Sequence, residues 1–140
     1  VAALIGKHAP NFVALSTIGE IELYAWLGGR SALIAFFADE TLLDALIGLH
    51  CSQIAIVAVC GATLQALLQQ SDRARLRGTK AFDFPLVADP EGAIAAAYGS
   101  IIDPSRPCVI EVAPDRTIRR VHGVDAGTID WPGTLARIRA

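Results

Sequence analysis

The 140-residue chain contains no methionine and begins with Val1, so a processed chain or one cut from a longer polypeptide is expected. Its first residues lack the charged-then-apolar pattern of an export signal, and a cytoplasmic location is the expectation. No uninterrupted apolar run approaches the roughly 18 residues that a membrane-spanning helix requires. This holds although 53% of the residues are hydrophobic and mean hydropathy is +0.45, which together suggest a soluble chain with a sticky face rather than a membrane partner. Clustered positive charge is also missing: twelve Lys and Arg are scattered among fourteen acids for a net charge of -2. Nucleic acid and anionic lipid are therefore discounted as partners. Cysteine is sparse, and Cys51, Cys60 and Cys108 form neither a CxxC pair nor a Cys/His spacing suited to zinc or a disulfide framework. Free thiols in a reducing compartment are the default. His8, His50 and His122 lie far apart with no metal-ligand pattern, and no metal or cofactor is implied. There is no internal repeat, low-complexity tract or interdomain linker, and the length suits one domain over 1–140.

What is present is a succession of short Val/Ile/Leu/Ala runs at 31–38, 54–59 and 108–112, which read as buried strands. Between the first two, residues 41–50 place Leu42, Leu43, Leu46, Ile47 and Leu49 on one broad helical face, wider than a single buried stripe needs. Part of that face is open to a partner reading. A strand-helix-strand order with a short crossover implies a parallel pair. Thr63 can cap a helix whose Leu64, Leu67 and Leu68 form a stripe before the polar stretch 69–80. Residues 90–98 suit a further helix, with Asp89 as its cap and Gly99 as its stop. Pro114-Asp115-Arg116-Thr117 reads as the turn of a hairpin between strands at 108–113 and 118–122, and 128–139 as a last helix.

In order and spacing these pieces resemble the peroxiredoxin superfamily, in its alkyl hydroperoxide reductase and thiol-specific antioxidant branch, including the bacterioferritin-comigratory type. Gly6-Lys7-His8-Ala9-Pro10-Asn11-Phe12 resembles the family's G-x-x-A-P-x-F, and 19–30 its hairpin and G-x-x-V-x-L segment. Phe82-Asp83-Phe84-Pro85-Leu86-Val87-Ala88-Asp89-Pro90-Glu91-Gly92 resembles F-P-L-L-S-D-P-D-G, and Ala96-Ala97-Tyr98-Gly99 resembles A-x-A-Y-G. The stretch from Arg106-Pro107-Cys108-Val109 through Pro114-Asp115-Arg116-Thr117-Ile118-Arg119 resembles R-P-A-V-F-V-I-D-R-D-G-T-I-R without a gap. The resemblance implies an α/β thioredoxin fold, a three-layer α/β/α sandwich with a mixed, mainly parallel central sheet and a peroxiredoxin-like N-terminal hairpin.

The same resemblance locates a loss. Where the family carries P-x-x-x-T-x-x-C after its first central strand, this chain has Ala38, Leu42 and Ala45, so the peroxidatic cysteine and both companions are replaced. Sliding the register one place matches Thr41 but supplies no cysteine. Peroxide cleavage needs a thiolate with a depressed pKa, favoured by a helix N-terminus and a nearby arginine, and alanine provides none. Only Arg106 is retained, at the family's active-site arginine position. It either pairs with Asp39, Glu40 or Asp44 in a capping cluster, or builds an anion site with backbone N–H groups. The crossover is also short, with eight residues between Ala45 and Ile54.

Cys51, Cys60 and Cys108 remain as alternative thiols. Cys51 follows a helix C-terminus, where the dipole disfavours a thiolate. Cys60 and Cys108 are expected at the carboxyl edge of the central strand, about 9–10 Å apart across it and too distant for a direct bridge. Two functions follow: a non-catalytic module that associates as a homodimer or an accessory domain, or a thiol-dependent peroxidase working through one of these cysteines. Similar cysteine-lacking redoxin domains occur fused ahead of iron and 2-oxoglutarate oxygenases.

Overall fold

The computed structural model describes residues 5–36, 42, 43, 46, 54–76, 84–98 and 107–122. Among them, strands β1 (Val13–Ser16), β2 (Gly19–Glu22), β3 (Ser31–Phe36), β4 (Ile54–Cys60), β5 (Leu86–Ala88), β6 (Cys108–Val112) and β7 (Ile118–His122) form one sheet. The spatial order is β2-β1-β5-β4-β3-β6-β7. Helices α1 (Leu23–Leu27), α2 (Leu64–Leu76) and α3 (Ala93–Ala97) accompany it.

The unbroken apolar runs at 31–38 and 54–59 become β3 and β4, neighbours paired in parallel and buried along nearly their whole length. Strands covered on both faces have no reason to alternate polar with apolar residues. Parallel pairing is confined to β3–β4 and β4–β5, whereas β1–β2, β1–β5, β3–β6 and β6–β7 are antiparallel. The sheet is thus mixed as expected, but parallel only at its centre. The hairpin turns after β1 and β6 force antiparallel neighbours toward both edges.

Successive side chains point to opposite faces, and each face has its own core. One holds Ile34, Phe36, Val57, Val59, Cys108 and Ile110 beneath Leu23 and Leu27 of α1 and Ile94 and Tyr98 beside α3. The other holds Leu33, Ala35, Ile56, Ala58, Cys60 and Val109 beneath Leu42, Leu43, Leu46 and Leu67. Leu42, Leu43 and Leu46 are helical and essentially without solvent exposure, as their spacing in the sequence anticipates. Each such leucine contributes about 2 kcal/mol of gross burial energy. Helical residues on both faces of one sheet give three layers.

Two helices differ from their sequence expectations. α2 begins as anticipated, with the Ala66 N–H donating to Thr63 Oγ1 at 3.2 Å, but it runs on through the polar residues to Leu76. Gln, Arg, Ala and Leu are good helix formers, and no Gly or Pro interrupts them there. Leu67 is buried while Leu68 is 42% exposed, so the contact arc centres on Leu67 and leaves Leu68 on its rim. The segment at 90–98 becomes helical only at Ala93, because the Gly92 N–H closes a turn onto the Asp89 carbonyl at 3.1 Å. Gly92 takes a φ of +73°, which a glycine adopts without strain. Asp89 still caps: its two carboxylate oxygens accept the N–H groups of Ile94 and Ala95, each at 3.1 Å. The helix expected at 128–139 lies outside the described residues.

Candidate functional site

The edge where chemistry is expected lies at the ends of β3 and β4 and the start of β6. Phe36, the last residue of β3, pairs with Val59 on one side and Cys108 on the other, so β3 separates Cys60 from Cys108. Two strand spacings put the backbones about 9–10 Å apart. The faces add a second separation, since Cys60 belongs to the core with Leu42 and Phe84, and Cys108 to the core with Phe36 and Tyr98. Both are free and buried. A disulfide between them would need its side chains to cross the sheet.

Burial also sets their acidity. Desolvation pushes the Cys60 thiol up to about 11 and the Cys108 thiol up to about 12. At pH 7 a thiol near 11 is ionised in about one molecule in ten thousand, the reverse of what a peroxide-cleaving nucleophile requires. Cys51 lies outside the described residues.

Of the three positions that the resemblance marks as substituted, Leu42 is described: its side chain has no solvent exposure and packs among Leu33, Ala35, Cys60 and their neighbours. A threonine there would offer a hydroxyl, whereas leucine offers only packing surface. Ala38, Ala45, Arg106 and the acids Asp39, Glu40 and Asp44 lie outside the described residues, as does His50.

The other side of the edge is equally apolar. Tyr98 has no solvent exposure and sits with its ring centroid 5.0 Å from that of Phe36, tilted by 57°. Its hydroxyl donates to the Pro10 carbonyl at 2.8 Å, tying the A-P motif of the N-terminal segment to the A-Y motif after α3. Burial drives the Tyr98 phenol well above its usual range, with the nearby Tyr24 adding to the shift.

Buried polar groups elsewhere are committed to the backbone. Ser16 Oγ donates to the Gly19 carbonyl at 2.7 Å and accepts the Ile18 N–H at 3.2 Å. Asp89 is spent on the start of α3. Among the described residues no buried side-chain donor or acceptor lacks a partner, and no three His, Cys, Asp or Glu residues converge as a metal set.

Sequence reading did not single out the contact between His122 Nε2 and Glu111 Oε2 at 2.6 Å, between half-buried side chains of β6 and β7. Glu111 pairs with Arg120, so His122 two residues on shares its face, but that placement depends on the register shift at Glu111 and Val112, which composition does not reveal. Glu111 also borders a pocket of about 120 Å³ with Ser31, Ile54 and Arg119. It lies at the opposite end of β3 and is smaller than the roughly 300 Å³ of ordinary ligand sites. His8 is exposed.

No family model and no curated protein matches the chain. Solved structures do. A yeast mitochondrial 1-Cys peroxiredoxin superposes with a TM-score of 0.76 at 20% identity, over 96% of this chain and 72% of that one. A cysteine-to-serine mutant of peroxiredoxin 6 from Arenicola marina gives 0.76 at 21% identity, over 96% and 71%. The mitochondrial 2-Cys peroxiredoxin from Plasmodium falciparum gives 0.68 at 16% identity, over 97% and 92%. The chain therefore has the peroxiredoxin-type, thioredoxin-like α/β fold that its motifs imply. Among the described residues no helix is long and apolar enough to cross a membrane.

Proposed function

We propose that this chain is a peroxiredoxin-like domain over 1–140 that performs no peroxidase chemistry and is used for association, either as a homodimer or as an accessory domain of a larger protein. The observation that carries the reading is that alanine occupies the nucleophile position while the described thiols, Cys60 and Cys108, are buried on opposite faces with raised pKa values. Reactive thiols sit in partly exposed, electropositive surroundings. These two sit in hydrocarbon.

The family's reaction also needs its thiolate regenerated after oxidation, which a second accessible thiol or an external reductant performs. Cys60 and Cys108 cannot resolve one another across β3. The competing reading, a thiol peroxidase using Cys60, Cys108 or Cys51, makes a different prediction for turnover. With hydrogen peroxide and excess dithiothreitol, the protein is expected to consume peroxide no faster than dithiothreitol alone. Protein-dependent turnover that disappears in the Cys51→Ala, Cys60→Ala or Cys108→Ala variant would replace the association reading with the enzymatic one. For association, sedimentation velocity over a hundredfold concentration range tests the homodimer form. A single monomer boundary throughout leaves the accessory-domain form alone.

A further inference from the structure

The sheet ends, on the side away from β6 and β7, in the β1–β2 hairpin, whose two faces differ. Ala14 and Ile21 are directly opposite one another and turn inward to the core beneath α1 and α3. Val13 faces Glu22 and Leu15 faces Glu20 across the ladder, so these four side chains share the outward face. Val13 is 59% exposed and Leu15 is 54% exposed, with Ile18 at the turn 55% exposed. These are three of the five large hydrophobics most exposed among the described residues, gathered within six positions of sequence. A concentration of this kind differs from the scattered exposed aliphatics of an ordinary surface.

The acidic row beside them decides the occupant. Glu20 and Glu22 are exposed, and among the described residues neither carboxylate has an ion-pair or hydrogen-bond partner; Glu22 precedes α1 without its side chain capping it. A second copy laid face to face would cover the apolar row by gathering four carboxylates, two from each copy, around one patch, where like charges oppose association. Complementarity instead calls for an apolar stripe bordered on one side by positive charge.

We propose that the outward face of the β1–β2 hairpin docks a segment of another polypeptide that carries aliphatic side chains against Val13, Leu15 and Ile18 and Lys or Arg against Glu20 and Glu22. It rests on the association reading above and identifies the partner's chemistry. The two fail separately, because rapid peroxide chemistry at a cysteine would remove that reading without altering this face, and an inert hairpin would leave the cysteines inert.

The test is a ¹⁵N-HSQC titration of the full chain with two synthetic amphipathic peptides of identical pattern, one Leu/Lys and one Leu/Glu. The Leu/Lys peptide is expected to shift amides within 13–22 and to bind about tenfold more tightly than the Leu/Glu peptide at low salt, the difference shrinking as salt rises. Glu20→Lys/Glu22→Lys should reverse the preference, and Val13→Ser/Leu15→Ser should weaken both peptides. Equal binding of the two peptides, or shifts outside the hairpin, would overturn the proposal. So would concentration-dependent self-association abolished by Leu15→Ser, which would make a second copy the occupant. Reversal of preference by the charge-swapped variant shows that it remains folded, and its amide dispersion supplies the same control if binding is lost.

Discussion

Cys60 and Cys108 illustrate how far a single environment reaches. In the folded chain both thiols keep their protons to about pH 11 and about pH 12, while in the unfolded chain they lose them near the ordinary value of about 9. The folded state therefore binds more protons than the unfolded state across that window. Their contribution to stability is complete below pH 9 and is lost as pH rises from there through the folded values. Each thiol carries a slope of about 1.4 kcal/mol per pH unit inside its window. Urea midpoints at pH 8 and pH 10.5 should fall more steeply for the native chain than for Cys60→Ala/Cys108→Ala, although the variant starts lower from lost packing. Equal slopes would mean that the thiols are not desolvated as described. Arg116 poses a different residue-scale question. It adopts a φ of +75° where the motif it resembles has glycine, and its guanidinium lies 4.3 Å from the Tyr24 ring centroid. The left-handed backbone costs about 1 kcal/mol for a residue with a Cβ, and the cation–π contact returns about 0.5–1 kcal/mol. Arg116→Ala loses the contact and keeps the cost, so thermal melts should rank Arg116→Gly about 1 kcal/mol above Arg116→Ala. No difference between the two would remove the strain argument.

Among elements, the stretch from Phe84 to Gly92 shows what a family-like motif does physically. Leu86 and Val87 pair with β4, the Asp89 N–H donates to the Cys60 carbonyl at 2.9 Å, and the Asp89 side chain starts α3. Asp89→Ala leaves two N–H groups of α3 without an acceptor in a buried place and should cost about 2 kcal/mol by urea denaturation. Asp89→Asn keeps one acceptor oxygen and should cost about half as much. If the alanine variant matches the wild type, Asp89 is not the cap. Strand identity was legible because β3, β4 and β6 are short apolar runs with no competing pattern. The late start of α3 was not, since Pro90 is as comfortable in a turn as in a first helical turn. The extension of α2 through polar residues was equally hidden, because solvent-facing turns leave no hydrophobic period to read.

For the whole molecule, the order of motifs carried the fold to its layers, and the alanine at position 45 was visible from sequence alone. What sequence could not show was that Cys60 and Cys108 occupy different faces. That depends on the parity of each residue within its strand and on register, which is fixed by pairing rather than composition. The same parity turns Val13, Leu15, Glu20 and Glu22 outward together. The central claim is that burial protects Cys60 and Cys108 instead of activating them. The direct measurement is sulfenic acid formation at each of the three cysteines, followed by mass spectrometry after rapid mixing with hydrogen peroxide at pH 7, for the native chain and for the chain in denaturant. The account predicts that Cys60 and Cys108 react more slowly folded than unfolded, and that Cys51 does not exceed an ordinary free thiol. A cysteine oxidised orders of magnitude faster in the folded chain would contradict it.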